Sequence, residues 1–313
     1  MECGIASTAN CESIQSLEGT GPLISVIIPA YNEAAVIGRC LAALTAGHEA
    51  GELEVLVVCN GCTDTTAEIA RRFGSPVRVL ESRVPSKTHA LNVGDAAALG
   101  FPRIYMDADV VMDLASIRKL ARALSHTKVL ACSPIPLTVF GSDACWSVRS
   151  YYRFWMALPY IQDGMIAAGV YAISEAGRRR FGQFPDLIAD DGFVRLHFKL
   201  HERLLVDGAI SEVRAPLALR DLTKIKTRSR LGDLQLRQRY PELCSHDLKA
   251  KKYLSALAKI LSRPSLYVAA LPYLYVNVVS RLRALQQLKS TQPYVWERDN
   301  SSRSSQRVKD RPS

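Results

Sequence analysis

Along the chain, short apolar runs alternate with stretches in which apolar residues recur every three or four positions. The first run, Ile24-Ser25-Val26-Ile27-Ile28, ends at Pro29. Proline cannot donate to a sheet ladder, so this position suits a strand end. Asn32 then offers a helix cap, with Val36, Ile37, Cys40, Leu41 and Leu44 on one face of a helix reaching about Ala46. Residues 53–58 form a second run, followed by Asn60-Gly61 and a helix over about 64–73. Residues 77–80 form a third, followed by a helix over about 88–99. Residues 104–106 form a fourth and end at Asp107. Continuous apolar strands with helices between them predict a parallel sheet covered on both faces. Residues 22–130 therefore read as a doubly wound α/β half.

Beyond it the pattern is mixed. Residues 146–160 are rich in aromatics, Gly164 and Gly169 follow, and Asp190-Asp191 stands alone as an acidic pair. From Lys224 the chain is helical in pattern and strongly basic. Residues 264–280 are apolar but shorter than the roughly 20 residues of a spanning helix, and they contain Pro272 and Asn277. A buried helix, an interfacial helix and a span all remain open for this stretch. The division expected is a flexible leader over 1–21, a catalytic domain over 22–222 with halves at 22–130 and 131–222, a helical appendage over 223–289, and a loose tail over 290–313.

The chain has 313 residues, 48% of them hydrophobic and 22% charged, which is a globular composition. The net charge of +10 lies mainly in the last third, and no nucleic-acid fingerprint accompanies it, so nucleic acid is not an expected partner. The 8 cysteines have no repeating spacing. No basic segment followed by an apolar run opens the chain, so no secretory signal is expected. Reduced cysteines in the cytoplasm are the simplest account.

In an open parallel sheet, ligands bind beyond the carboxyl ends of the strands. Four polar clusters fall there: Pro29 to Glu33, Cys59 to Asp64, Arg83 to Asn92, and Asp107-Ala108-Asp109. Two carboxylates one residue apart can hold a hard cation that also takes phosphate oxygens from a substrate. Cys59-Asn60-Gly61-Cys62 could instead be a redox CxxC at a helix start. That reading leaves the other clusters unexplained. No G-x-G-x-x-G follows the first strand, which disfavours a dinucleotide oxidoreductase.

In order and spacing, these segments, with Lys87-Thr88-His89-Ala90-Leu91-Asn92 among them, resemble the family-2 glycosyltransferases of the GT-A fold over about residues 22–200. The resemblance implies an α/β, Rossmann-like, mostly parallel sheet with flanking helices and a C-terminal helical appendage. It implies single-sugar transfer with inversion from a nucleotide sugar, a UDP-sugar first, to a glycan or lipid-linked acceptor in envelope or exopolysaccharide synthesis. Pro29, Tyr31, Glu33 and Asn60 match the nucleoside-binding segments, and Lys87 matches a lysine near the donor phosphates. Asp107 and Asp109 match the metal motif, with Mg²⁺ or Mn²⁺ as cofactor. Asp190-Asp191 matches the acidic pair that supplies the base, Asp191 being favoured. An aspartate is ionised at neutral pH and able to accept a proton. Two departures stand out. Cys59 and Cys62 replace the more usual Asp and Ser, and Asn60 stands where Asp is usual. The Gln-x-x-Arg-Trp motif of processive members is absent, which points away from polymerisation. A catalytically inactive, nucleotide-sugar-binding regulator is the non-enzyme alternative. The basic and apolar segment over about 250–285 is expected to touch the inner face of the cell membrane.

Overall fold

A computed structural model describes residues 24–125, 128–158, 169–245 and 266–290. The expected leader, Gly164, the basic cluster of Lys249, Lys251, Lys252 and Lys259, and nearly all of the expected tail lie outside the described residues.

The four apolar runs form strands β1 (Ile24–Ala30), β2 (Leu53–Asn60), β3 (Val77–Ser82) and β4 (Arg103–Met106), each slightly longer than its apolar run. Strand β1 pairs in parallel with β2 on one side and β4 on the other, and β2 pairs in parallel with β3. The helices between them are α1 (Ile37–Thr45), α2 (Thr66–Arg71) and α3 (Lys87–Ala97), with α4 (Leu114–Leu124) after β4. Every residue of β1 and β2 is buried, as strands covered on both faces require. One face of the sheet packs on α1, α2 and α4 through Leu41, Leu44, Ala70, Ile117 and Leu120. The other packs on α3 through Leu91.

One local expectation fails. Asn32 does not cap α1, which begins five residues later. Its φ is +52°, one of the left-handed values that Asn tolerates better than most residues. Its Oδ1 instead accepts from the backbone N–H of Thr63 (2.7 Å) and Asp64 (3.3 Å), fastening the loop after β1 to the loop after β2.

The second half completes a seven-stranded sheet of order β3-β2-β1-β4-β6-β5-β7. Strand β5 (Ala131–Val139) is followed by α5 (Trp146–Met156), then β6 (Val170–Ile173) and the short α6 (Glu175–Arg178). Helix α7 (Asp190–Leu196) and strand β7 (Arg203–Arg214) follow. Strand β6 runs antiparallel to both β4 and β5, so the sheet is mixed though mostly parallel.

Helix α8 (Leu219–Arg239) closes on α7 at Gly232, where a Cβ would lie 2.9 Å from that of Ala189. The expected start of the appendage, residue 223, falls inside α8. The short α9 (Pro241–Ser245) follows, and α10 (Tyr267–Lys289) packs across α5 and α8. The apolar stretch is thus a helix that runs on past Arg281 and Arg283. Its buried positions, Ala269, Pro272, Val276, Ser280 and Ala284, make one stripe. Tyr267, Val268, Leu271, Leu274, Tyr275, Val278 and Leu282 make an exposed one. No helix among the described residues is long and apolar enough to cross a membrane.

Candidate active site

The carboxyl ends of β1 and β4 lie side by side where the strand order changes direction, the usual position of a ligand crevice in an open sheet. A pocket opens there, lined by residues from both halves of the chain: Pro29 of β1, Lys87, Asp107, Gly169, Tyr171, Asp190 and Asp191 among them. The sequence places these residues up to 162 positions apart, and β6 is what joins them. Its antiparallel pairing with β4 sets Met106 opposite Val170, so Gly169 meets Asp107 directly.

That meeting is tight. The N–H of Asp107 donates to the carbonyl of Gly169 at 2.7 Å. Gly169 has φ +81°, and a Cβ there would lie 2.8 Å from Val110 Cγ2 and 3.2 Å from Asp107 Oδ2. Glycine is therefore required both by its backbone and by the carboxylate beside it.

Lys87 joins the two acidic groups. It opens α3, whose first turn is capped by Ser86 accepting from His89 N–H. Its Nζ lies 2.8 Å from Oδ1 of Asp107 and 3.1 Å from Oδ1 of Asp190. Burial would push this ammonium's pKa down, but the charges of Asp107 and Asp190 outweigh that and hold it above the usual lysine range.

Asp190 and Asp191 open α7. The Asp190 carboxylate is 4% exposed and also accepts from Tyr171 OH at 3.5 Å. Asp191 is pushed up to about 6, first by burial and then by the charge of Asp190. A carboxylate so placed is still largely ionised at pH 7 and closer in pKa to a hydroxyl than an ordinary aspartate, which suits proton transfer.

Tyr105 sits in the fourth apolar run, whereas Tyr171 belongs to β6, which no pattern in the sequence marks. Their rings stack at 5.0 Å, and Tyr105 OH donates to Asp95 at 2.5 Å. Asp95 is further held by Arg103 at 2.6 Å and Arg178 at 2.7 Å. A buried ionic group thus anchors the aromatic floor under Asp190.

Tyr31, Glu33, Asn60 and Asp109 are not among the residues that line this pocket. Tyr31 follows β1 and is 39% exposed, while Glu33 and Asn60 are buried. Glu33 N–H donates to Thr66 Oγ1 at 2.7 Å, and Ala34 N–H to Asp64 Oδ2 at 3.1 Å. Cys59 and Cys62 are free thiols. The hydrogen bond between them raises the Cys59 thiol, and it lowers that of Cys62 to about 7. Cys62 also donates to Ala30 O at 3.2 Å, so the pair helps to hold the loops after β1 and β2 together.

Asp109 lies one residue past the buried Ala108, partly exposed like Asp107. No group of three or more His, Cys, Asp or Glu that could hold a metal occurs among the described residues. Two hard carboxylates are nevertheless a fitting partial donor set, because Mg²⁺ takes one or two carboxylates and completes its shell with phosphate and water oxygens.

A mostly parallel sheet of this order, with its crevice at the carboxyl ends of the strands, is a GT-A type fold. Residues 25–181 match the family described as glycosyl transferase family 2, and the chain belongs to that family. Glycosyltransferase AglE of Haloferax volcanii is 39% identical over 98 residues, 30% of this chain and 32% of AglE. Validoxylamine A glucosyltransferase of Streptomyces hygroscopicus subsp. jinggangensis is 42% identical over 59 residues, 18% of this chain and 14% of that protein. The chain therefore spans a third or less of the length of these curated relatives. The solved mannosyltransferase PcManGT from Pyrobaculum calidifontis, in complex with GDP-Man and Mn²⁺, is similar in fold, with a TM-score of 0.62. It is 19% identical, with 87% of this chain and 88% of that one covered.

Proposed function

We propose that the chain transfers a single sugar, with inversion, from a nucleotide sugar to an acceptor hydroxyl. The observation that carries this reading is the convergence of Asp107, Lys87, Asp190 and Asp191 on one pocket at the carboxyl ends of β1 and β4. Pro29, Tyr31, Glu33 and Asn60 surround the base in this reading. Asp107 and Asp109 would hold a divalent cation, Mn²⁺ or Mg²⁺, which would supply positive charge against a diphosphate leaving group. Lys87 adds a fixed cation beside it. Asp191 accepts the proton of the acceptor hydroxyl, and that oxygen bonds to the anomeric carbon. The nucleoside diphosphate leaves with the electron pair of the old bond.

UDP-sugars are the first donors to test. GDP-sugars come next, since the mannosyltransferase of similar fold holds GDP-Man. The acceptor proposed is lipid-linked or a growing glycan at the inner face of the membrane. The support for this is the exposed apolar stripe of α10, beside a segment rich in lysine.

A panel of UDP-, GDP- and dTDP-sugars with Mn²⁺ tests the reading, with thermal stabilisation and nucleotide release as readouts. Stabilisation and release by one donor class are expected, both abolished by EDTA and by Asp109→Ala. Stabilisation without release under any acceptor mixture would assign the chain as a nucleotide-sugar-binding regulator. No stabilisation by any nucleotide would overturn the donor site.

A further inference from the structure

Where helices α5, α8 and α10 meet, a second cluster of charged side chains plays no part in the chemistry above. Lys226 of α8 points its ammonium at two rings of α5, 5.0 Å from the centroid of Trp155 and 5.7 Å from that of Tyr151. One turn further along α8, Arg230 donates through Nη2 to Asn277 Oδ1 of α10 at 2.7 Å. The Asn277 amide is itself oriented by its donation to Tyr273 O at 2.8 Å. Tyr273 lies 5.5 Å from Tyr151, so the three helices share one aromatic wall.

Two cations four residues apart on one helix face repel. Burial first, and the charge of Arg230 second, push the Lys226 ammonium down to about 8. Among the described residues neither cation has a carboxylate partner. Helices α5 and α10 contain no Asp or Glu. On α8, Asp221 is engaged by Lys224 at 3.3 Å and by Arg220 at 3.7 Å. Asp233 makes no ion pair with Lys226 or Arg230 among the described residues. Half-desolvated cations held together without an anion raise the energy of the free protein, and a bound anion would offset this. Arg presents a planar fork matched to phosphate, and Lys adds a point charge.

We propose that Lys226 and Arg230 form a binding site for a phosphoryl group, walled by Trp155 and Tyr151. The site lies against the helix whose opposite face carries the exposed apolar stripe, so a lipid-borne phosphate and a soluble phosphate can each supply the same chemistry. The proposal does not depend on the assignment of sugar transfer.

Trp155 is the reporter. The chain has 3 tryptophans, and Trp146→Phe with Trp296→Phe leaves Trp155 as the remaining one. Inorganic phosphate should change its fluorescence saturably, because an anion draws Lys226 away from the indole. Lys226→Met and Arg230→Gln should each weaken that titration at least tenfold. Lys224→Gln, whose ammonium is engaged by Asp221, should not. Arg230→Lys, which keeps the charge, should lie between wild type and Arg230→Gln. Phosphatidylcholine vesicles with and without phosphatidic acid separate the sources. Tighter binding of phosphatidic acid than of inorganic phosphate, lost in the same variants, assigns a lipid phosphate. Equal binding assigns a soluble one. No saturable response to either probe overturns the proposal, as does a response unchanged in both Lys226→Met and Arg230→Gln. Displacement of the phosphate by UDP with Mn²⁺ also overturns it, by assigning these cations to the donor. UDP stabilisation measured in the same samples reports separately on the glycosyltransferase reading.

Discussion

The ammonium of Lys87 lies 3.1 Å from Oδ1 of Asp190, tying the first turn of α3 to the first turn of α7. The same nitrogen lies 2.8 Å from Asp107, so one cation holds together carboxylates contributed by two halves of the fold. Lys87→Met removes that charge while keeping the length of the side chain. Turnover should fall by about a hundredfold, the scale seen when a preorganised electrostatic group is deleted. The melting temperature should fall more at pH 7.5 than at pH 5.5, because protonation of Asp191, whose pKa is raised to about 6, relieves part of the repulsion left when the ammonium is gone. Equal losses at the two pH values would show that Lys87 acts through packing alone.

Asp191 gives opposite signs for activity and stability. Its pKa in the folded chain is raised from the ordinary aspartate value to about 6. The folded state therefore holds the proton more tightly than the unfolded one. The stability this contributes is fully present below about pH 4 and is lost as pH rises through about 6. Asp191→Asn removes the charge, so it should melt higher than wild type at pH 7.5, by at most about 3 kcal/mol. The difference should vanish near pH 4. Turnover of the same variant should drop by roughly two to four orders of magnitude, and wild-type turnover should decline below about pH 6. A variant that is neither stabilised nor slowed would move the base elsewhere. If Asp190→Asn is the crippled variant instead, the assignment within the pair is wrong by one residue.

Much of this site was legible because parallel strands announce themselves as uninterrupted apolar runs. Runs such as 24–28 and 53–58 mark where ligands gather, and Pro29, Asn60 and Asp107 could be placed at strand ends directly. The antiparallel β6 is only four residues long, and nothing in Val170-Tyr171-Ala172-Ile173 says which neighbour it joins. Tyr171 and the closeness of Gly169 to Asp107 were therefore out of reach, since both depend on long-range pairing. Asn32 misled for a local reason. Its side chain can cap a helix or bridge a loop, and the left-handed backbone that selects the second use is invisible in sequence.

Gly169 is the position where that pairing can be tested. Any residue with a Cβ meets both a left-handed backbone and the Asp107 carboxylate. Gly169→Ala should destabilise by roughly 1–3 kcal/mol. It should also weaken Mn²⁺-dependent nucleotide binding, since the side chain it pushes is a proposed metal ligand. Asp107→Asn combined with Gly169→Ala should lose little more nucleotide binding than either change alone. Full additivity in that double-mutant cycle would disconnect the two residues.

The last prediction concerns α10. Its exposed stripe includes Leu271 at 66%, Val268 at 60% and Val278 and Leu282 at 56%. Contiguous exposed apolar surface of this kind marks an interaction site. The partner proposed is an anionic membrane surface, and the argument is charge. The segment over 246–265 that leads into α10 carries Lys249, Lys251, Lys252, Lys259 and Arg263 against the single acid Asp247. Arg281 and Arg283 follow on the helix itself. Each basic residue near an anionic leaflet contributes about 1 kcal/mol, a contribution that salt screens. A Leu or Val side chain adds roughly 1.5–3 kcal/mol when fully buried. The full chain should therefore sediment with vesicles of phosphatidylcholine and phosphatidylglycerol at low salt and be partly released at high salt. Leu271→Glu with Val278→Glu should cut sedimentation at least tenfold, while UDP stabilisation stays unchanged, because neither side chain is buried in the fold. A chain that stays in the supernatant at low salt would defeat the membrane assignment. Concentration-dependent dimerisation abolished by the same pair of substitutions would instead give this face to a second copy of the chain.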